Sequence, residues 1–296
     1  MIGIDWGTTS LRAYRLDEAG AVLEHRESAQ GILSVPGGGF AAVLDAEIRP
    51  WLDAGERLVL LCGMIGSRQG WQEAPYLPCP AGPAEIAAAM VPLPFPGAAR
   101  CLLVPGLLTR GPEGVPDVMR GEETKLVGLL AELGDGAAAT LCLPGTHSKW
   151  ARLDGGRITG FATRMTGEVR AVLLGHSILG RLSAPAQGPA DEAFRRGLRR
   201  SRERGGLLHH LFGTRALGLV GELAPEGTDE YLSGLLIGHE VRAAVEDGAP
   251  GTVHLAGSAT LCRLYALAFA EYGIRHRQHD PDIAARGLAL LGRTIG

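Results

Sequence analysis

The sequence lacks the motifs that identify several common classes of protein. Its five cysteines are scattered and form no CxxC pair, which argues against a disulfide framework and predicts a reducing compartment. No GxxxxGK(S/T) motif is present, so a P-loop fold is excluded, and no GxGxxG motif follows a strand, so a Rossmann cofactor site is not supported. A G-x-S-x-G elbow is also missing. The chemistry of this chain must therefore be sought in other patterns.

Neither targeting segments nor the net charge indicates a membrane or nucleic-acid partner. The chain starts on a probable strand without a basic segment before it, and its longest apolar stretches, such as "LVLLCGMIG", are far short of a membrane span. A formal net charge of −3 gives no general attraction to nucleic acid or to anionic membranes. Six arginines lie between Arg195 and Arg204, but no aromatic side chains interleave for base stacking. We interpret that run as the solvated face of a helix, and we expect a cytoplasmic protein without nucleic acid or membrane partners.

The length predicts two lobes. A chain of 296 residues exceeds one typical domain, and two lobes of roughly 120–180 residues are expected. The Gly- and Pro-rich segment "TRGPEGVPDVMRG" is the best candidate for a boundary. We therefore predict an N-terminal lobe over 1–116 and a C-terminal lobe over 117–296.

One pattern occurs twice in the chain. "GTTSLRAYRLDEAG" begins at Gly7, "GTHSKWARLDGG" begins at Gly145, and both carry Gly, Thr, Ser, Ala, Arg, Leu and Asp in the same order. Each copy follows a short apolar strand and continues as a hairpin with an Asp/Gly turn and a third strand. This repeat predicts an α/β fold of two related lobes with a cleft between them.

The remaining elements follow from apolar spacing. We expect buried strands over 57–64 and 101–109, and helices that start near Phe40 and Glu122. Further helices are predicted over 168–182, 191–204, 229–245, 260–272 and 282–291.

The two repeated loops have the composition of a phosphate-binding turn. Small Gly, Thr and Ser residues expose backbone N–H groups in a concave turn, which is a good anion site. The candidate phosphate-binding residues are Gly7, Thr8, Thr9, Ser10, Gly145, Thr146, His147, Ser148 and Lys149. Asp5 precedes the first loop and is a candidate to hold Mg²⁺ through water, whereas Leu143 stands at the same place in the second copy.

These residues carry a resemblance to a known superfamily. "DWGTTSLRAYRL" and "GTHSKW" resemble the two phosphate motifs of the superfamily that contains actin, hexokinase and sugar kinases, and "LAGSATLCRLYALAF" resembles its adenosine motif. The combination of "CGMIGSRQGW", "MRGEETKL", "CLPGTHSKW", "MTGE" and "YLSGLLIGHE" is similar to the 2-keto-3-deoxy-galactonokinase family along the whole chain. The resemblance implies two ribonuclease H-like lobes of the actin and hexokinase type.

The resemblance also implies an activity and roles for particular residues. It implies ATP-dependent phosphorylation of the C6 hydroxyl of 2-dehydro-3-deoxy-D-galactonate in galactonate catabolism, with Mg²⁺. Glu122 and Glu123 begin a helix and are the candidates for the proton acceptor, so that the catalytic set is Glu122, Glu123 and Asp5. Candidates for binding the sugar acid are Ser67, Arg68, Gln69, Arg120 and Arg164, and Lys149 competes for the same carboxylate. Gly257 and Ser258 are the candidates for the adenosine.

The sequence leaves alternatives open. They are a kinase for another 2-keto-3-deoxy sugar acid, a phosphoanhydride hydrolase of the exopolyphosphatase kind, and a non-catalytic nucleotide-binding sensor of actin type. The hydrolase would need a basic channel for a long polyanion, and the sensor would not need an acidic pair. The choice between Glu122 and Glu123, the residue that binds the carboxylate, and the oligomeric state, with a homodimer as one option, are not decided by the sequence.

Overall fold

The computed structural model describes residues 1–98, 100–134, 136, 138–186, 188, 190–246, 248, 251–280 and 282–295. The chain forms two compact units, of which the first comprises Met1–Ala138, Ala151–Ala162 and Asp280–Gly296, and the second Ala139–Trp150 and Thr163–His279. The predicted boundary near residue 116 therefore lies inside the first unit, and the end of the chain belongs to that unit as well. Within the described residues, no helix is long and apolar enough to cross a membrane.

The first unit is built on a six-stranded sheet with the order β3-β2-β1-β4-β7-β6. A smaller sheet has the order β5-β8-β9. The strands are β1 (Ile2–Trp6), β2 (Leu11–Leu16), β3 (Val22–Ser28), β4 (Leu58–Cys62), β5 (Tyr76–Pro78), β6 (Val91–Pro92), β7 (Arg100–Leu103), β8 (Gly106–Arg110) and β9 (Pro116–Met119). Strand β1 pairs antiparallel with β2 and parallel with β4, so that residues following β1 and β4 meet at one edge of the sheet.

A five-stranded sheet repeats this arrangement later in the chain. Its strands are β10 (Ala139–Leu143), β11 (Ser148–Asp154), β12 (Arg157–Arg164), β13 (Thr252–Leu255) and β14 (Arg275–Gln278). Their order is β12-β11-β10-β13-β14, and β10 pairs in parallel with β13. The hairpin, third strand and parallel neighbour thus occur in the same order in both sheets. The predicted α/β class and the predicted strand repeat are confirmed.

Helices pack against these sheets or against one another. They are α1 (Phe40–Asp53), α2 (Pro83–Ala88), α3 (Glu122–Leu133), α4 (Thr166–His176), α5 (Asp191–Ser201), α6 (Gly206–Leu219), α7 (Thr228–Glu246), α8 (Ala259–Glu271) and α9 (Ile283–Thr294). The core of the first unit contains Ile4 and Trp6 of β1 with Leu44 and Ile48 of α1. In the second unit Phe194, Val241 and Phe269 share a core.

Two expectations about single elements were wrong, and one helix was not predicted. The stretch 101–109 is not one strand, because Pro105 offers no N–H to a ladder, and β7 and β8 join different sheets. The helix expected over 168–182 ends at His176, where Ser177 becomes extended and caps a following helical turn through Leu179. Helix α6 was not predicted from the sequence. Its apolar residues lie on all sides of the helix, including Leu208, which is 86% exposed, so the spacing of apolar residues that indicates a helix is absent.

The arginine run lies on the surface, as expected from its composition. Arg196 pairs with Glu222, Arg199 with Glu192, and Arg200 with Glu203. These partly exposed ion pairs neutralise much of the local charge. The run therefore shows the features of a solvated helix rather than those of a free basic patch.

Candidate functional site

The first repeated loop is fixed at its base and open at its tip. Trp6 is buried and its Nε1 donates to the Gln30 carbonyl at 2.8 Å, while Gly7 N donates to the Ser10 carbonyl at 2.9 Å. Thr8 and Thr9 are exposed, and their amide N–H groups make no hydrogen bond with any residue that the structure describes. Exposed, unpaired N–H groups on a fixed turn are suited to an anion.

Two glycines bring Asp5 to the start of α3. Gly63 follows β4 with φ of +95°, and a Cβ there would lie 2.7 Å from the Trp6 carbonyl oxygen and 3.3 Å from Asp5 Oδ1. A Cβ on Gly121 would lie 3.0 Å from the Gly63 Cα atom. Because neither position leaves room for a side chain, the end of β1, the end of β4 and the start of α3 pack directly together.

Asp5 carries a carboxylate that lacks a bonded partner within the described chain. Burial raises the pKa of this carboxyl above its ordinary value, and the nearby Lys125 and Arg12 counteract that increase. The Asp5 carboxylate forms no hydrogen bond or ion pair with the residues that the structure describes. A partly buried carboxylate in this condition fits a cation, and Mg²⁺ is commonly held by one or two carboxylates together with waters and phosphate oxygens.

The two glutamates at the start of α3 have different environments. Glu123 is fully buried, its Oε2 accepts from Gly121 N at 2.7 Å, and its Oε1 has no partner among the described residues. Burial, followed by the charge of Glu122, raises the pKa of Glu123 to about 8. Glu122 is half-buried and its Oε2 accepts from Arg120 N at 3.2 Å. Of the pair, only Glu122 can be reached by a solute.

Arg120 is a buried cation with unused hydrogen-bond donors. It is 9% exposed, its Nη2 donates to the Ala74 carbonyl at 2.8 Å, and its guanidinium lies 4.3 Å from the centre of the Tyr76 ring. Its Nε and Nη1 have no partner in the described chain. A Cβ on Gly66 would lie 3.0 Å from Nη1, so the guanidinium packs directly against the turn at this glycine. A guanidinium with two free donors is suited to a carboxylate.

The other candidates in this unit are less suited to a negative ligand. The Arg68 side chain is 87% exposed and its Nε pairs with Glu73 Oε1 at 3.0 Å. Ser67 Oγ accepts from Gln69 N at 3.3 Å, which closes a tight turn directly after Gly66. Ser67 and Gln69 therefore follow directly after Gly66, which lies beside the Arg120 guanidinium, while Arg68 is exposed to solvent.

The second repeated loop has the same open tip on a different support. Thr146 and His147 are exposed, and their amide N–H groups make no hydrogen bond within the described residues. Helix α4 holds this loop, because Glu168 N donates to the Thr146 carbonyl at 3.0 Å and the Glu168 carboxylate pairs with the His147 ring. A Cβ on Gly167 would lie 2.6 Å from the Gly145 carbonyl oxygen, so the start of α4 packs on the loop backbone.

The two residues that follow this tip are buried. Ser148 is inaccessible to solvent and its hydroxyl bonds to the Tyr265 hydroxyl at 2.8 Å. Lys149 is also buried, and its ammonium donates to Thr163 Oγ1 at 2.7 Å. The guanidinium of Arg164 lies 5.9 Å from the centre of the Trp150 ring. These side chains belong to the second unit and support its structure from inside.

A cavity of about 320 Å³ adjoins the second loop. Its lining includes Gly145, Thr146, Thr166, Arg170, Glu230 and Tyr265. The turn proposed for adenosine stands near the loop, because a Cβ on Gly257 would lie 3.4 Å from the Pro144 carbonyl oxygen. Ser258 caps α8, and its Oγ accepts from Leu261 N at 3.4 Å. A concave site of this size beside unpaired amides is suited to a small anionic ligand.

Known proteins match this chain over nearly its whole length. The family model of 2-keto-3-deoxy-galactonokinase matches residues 5–291. The chain belongs to this family. It is 40% identical to a protein from Rhizobium meliloti strain 1021 that is named as a 2-dehydro-3-deoxygalactonokinase, over 99% of this chain and 96% of that one. It is 37% identical to the 2-dehydro-3-deoxygalactonokinase of Escherichia coli K12, over 92% of this chain and 90% of the relative.

A solved structure agrees with these matches. A crystal structure of a Sinorhizobium meliloti protein, assigned as a 2-dehydro-3-deoxygalactonokinase, has a TM-score of 0.88 and 39% identity, and covers 99% of this chain and 97% of that one. Membership of the 2-keto-3-deoxy-galactonokinase family confirms the predicted sugar-acid kinase class, and a kinase of this kind uses ATP.

Lys125 is a candidate residue of this kinase that sequence reasoning missed. It lies one helical turn after Glu122, so that both side chains share a face of α3, and its charge acts on Asp5. A compositional signal was available, because Lys125 and Lys149 are the two lysines among the 29 basic residues of the sequence. Both belong to motifs that carry the family resemblance.

Proposed function

We propose that the chain transfers the γ-phosphoryl group of ATP to the C6 hydroxyl of 2-dehydro-3-deoxy-D-galactonate. The observation that carries this proposal is the combination of an accessible carboxylate, Glu122, with a buried guanidinium, Arg120, that has free donors. The first group suits an alcohol that must lose a proton, and the second suits the carboxylate of a sugar acid. The names of the relatives from Rhizobium and Escherichia coli support the same substrate.

Glu122 is proposed as the proton acceptor. The C6 oxygen attacks the γ-phosphorus, its bond to hydrogen breaks as Glu122 takes the proton, and the bond between the γ-phosphorus and the β–γ bridging oxygen breaks to release ADP. Burial raises the pKa of Glu123 to about 8 and leaves its side chain inaccessible to solvent, so Glu122 is the better placed of the two to take the proton. The role proposed for Glu123 is to fix the position of Gly121, whose N–H donates to Glu123 Oε2.

Arg120 is proposed to bind the sugar-acid carboxylate through Nε and Nη1. These donors have no partner in the described residues, and burial strengthens a charge-assisted hydrogen bond relative to an exposed one. Ser67 and Gln69 lie in the adjacent turn and are proposed to bind hydroxyl groups of the same acid. Arg68 is assigned no contact, because it is exposed and paired with Glu73.

The two repeated loops are each proposed as a phosphate-binding element of ATP. The free amides of Thr8 and Thr9 and of Thr146 and His147 support this role. Asp5 would hold Mg²⁺, and a bound Mg²⁺ neutralises charge on the phosphate oxygens. Lys125, which lies near Asp5, is proposed to add to that neutralisation. The cavity beside Thr146, together with Gly257 and Ser258, is proposed to take the adenosine. The cytoplasmic location and a homodimer stay predictions from the sequence.

An acceptor panel tests the proposed function. ADP formation should be measured with 2-dehydro-3-deoxy-D-galactonate, its gluconate epimer, simple aldonic acids, inorganic polyphosphate and no acceptor. We expect 2-dehydro-3-deoxy-D-galactonate to give the largest kcat/KM, with ³¹P and ¹³C NMR placing the phosphate on C6. Turnover equal to that without an acceptor for every sugar acid would refute the kinase proposal, and phosphate release from polyphosphate would favour the hydrolase.

A further inference from the structure

A group of hydrogen-bonded side chains, most of them buried, lies behind the second loop. Glu240 of α7 is 4% exposed and accepts from Trp150 Nε1 at 2.8 Å, from the Tyr265 hydroxyl at 2.7 Å and from the Thr166 hydroxyl. The Tyr265 hydroxyl bonds in turn to Ser148 Oγ at 2.8 Å. We call these five residues the Glu240 cluster.

The chemistry of the donors fixes the direction of the hydrogen bonds in the Glu240 cluster. An indole N–H can only donate, and an ionised carboxylate can only accept. Tyr265 has one hydroxyl proton and gives it to Glu240, so Ser148 must donate to Tyr265. Thr166 likewise gives its proton to Glu240. Burial raises the pKa of Glu240, whereas the hydrogen bonds that it accepts and the nearby charge of Arg164 favour the ionised carboxylate. One carboxylate therefore sets the orientation of three hydroxyl groups.

Two of these hydroxyl groups belong to residues that flank the second loop or hold it in place. Ser148 directly follows the exposed loop tip, and Thr166 directly precedes Gly167, which packs on the Gly145 carbonyl. Thr166 and Tyr265 also line the cavity beside the loop. Glu240 itself is absent from the lining of that cavity. It can act on a ligand only through the residues that it orients.

We propose that Glu240 is a positioning residue of the kinase reaction, which holds the loop 145–148 in its ATP-binding geometry through Tyr265 and Ser148 on one side and Thr166 on the other. This inference rests on the proposed function, in which that loop binds phosphate groups of ATP. Nothing in the roles proposed above uses Glu240, and the cluster adds a device that tunes ATP binding from inside the second unit.

A matched pair of tyrosines in the same unit provides the test. Tyr265→Phe removes the link between Glu240 and Ser148. Tyr272→Phe removes a hydroxyl that bonds to Ser201 Oγ at 2.9 Å and to the Gly238 carbonyl at 3.0 Å, without contacting the loop. Each of the two substitutions removes one hydroxyl group with two hydrogen bonds and leaves the ring in place. Glu240→Gln keeps the shape of the side chain but replaces one carboxylate oxygen by an NH₂ group. This group cannot accept the hydrogen bonds that Glu240 receives from its neighbours.

Steady-state kinetics should separate positioning from simple destabilisation. We expect Tyr265→Phe and Glu240→Gln each to raise the KM for ATP about tenfold or more, as befits the loss of a hydrogen bond to a charged group. The KM for the sugar acid should stay unchanged, and Tyr272→Phe should lower the melting temperature without changing either KM. The double variant should be no worse than the poorer single variant, because both changes break one network.

The results also distinguish the inference from the proposed function. If Tyr265→Phe folds and keeps the wild-type KM for ATP, or if it raises both KM values alike, the positioning role of Glu240 is overturned. Gly167→Ala disturbs the loop backbone directly. An increase of the ATP KM in Gly167→Ala, without one in the cluster variants, would overturn only the role of Glu240. An unchanged ATP KM in all of them would overturn the phosphate-binding role of the loop as well.

Discussion

The two repeated strand units have the same scaffold but different surroundings. Both expose a Thr with a free amide at the loop tip, and in both sheets the hairpin, the third strand and the parallel neighbour occur in the same order. Beside the first loop lies the unpaired carboxylate of Asp5, and the same unit holds the free donors of Arg120. Behind the second loop, the polar groups around Glu240 are bonded to one another. Because buried polar groups are normally satisfied, the unpaired groups of Asp5 and Arg120 are the ones that a ligand at this site could complete.

The largest effect should come from Glu122. Glu122→Gln removes the proposed proton acceptor and keeps the side-chain shape, so kcat should fall by roughly 10²- to 10⁴-fold while both KM values stay near wild type. Single-turnover measurements would show whether the chemical step is the one that slows. Glu123→Gln is the matched variant, and it should keep most of the turnover because Glu123 already holds its proton at neutral pH. The opposite ranking of the two variants would show that the base has been assigned to the wrong residue.

Arg120 should give the next largest effect. Arg120→Met keeps the length of the side chain and removes the charge, so the KM for the sugar acid should rise about 100-fold, as expected for a buried charged pair. The KM for ATP should not change. Arg68→Met is the control, because that side chain is 87% exposed, and it should behave as wild type. Equal losses in the two variants would contradict a specific role for Arg120.

A smaller effect is expected from the backbone of the second loop. In Gly167→Ala the new methyl group would lie 2.6 Å from the Gly145 carbonyl oxygen and 2.8 Å from the Thr146 Cα atom, so the loop must shift. We expect the KM for ATP to rise about tenfold. Gly175→Ala lies in the same helix and meets nothing within 4 Å, and it should leave the kinetics unchanged and stabilise α4 slightly. If the two variants have the same KM for ATP, loop geometry does not control ATP binding.

The repeat could be predicted from sequence because its signals are local. Gly and Thr at the loops, Asp and Gly at the hairpin turns, and alternating apolar residues each act over a few positions. The Glu240 cluster could not be predicted, because Glu240 meets Tyr265 25 residues away, Thr166 74 residues away and Trp150 90 residues away. Its helix shows only an apolar pattern, which predicts packing and says nothing about a buried carboxylate.

The same limit applied to the candidate site of the first unit. The pair Glu122–Glu123 was visible as acidic residues at a helix start, but only tertiary burial distinguishes the accessible carboxyl of Glu122 from the buried one of Glu123. The choice of Arg120 over Arg68 likewise depends on exposure and on the carbonyl of Ala74, which lies 46 residues away. Sequence reasoning could name these candidates, and the fold was needed to rank them.

The last prediction concerns stability rather than turnover and comes from Glu123. The unfolded chain should release the Glu123 proton near the ordinary pKa of 4.5, whereas the folded chain keeps it up to about pH 8. Between these values the folded state binds more protons, so the free energy of unfolding should fall as pH rises, by at most about 1.4 kcal/mol per pH unit. Urea unfolding of the wild type and of Glu123→Gln from pH 5 to pH 8 should show this slope in their difference. Glu113→Gln removes an exposed carboxylate and should leave the slope in place. A difference that does not vary with pH would mean that Glu123 is ionised in the folded chain, and that both glutamates could then accept a proton.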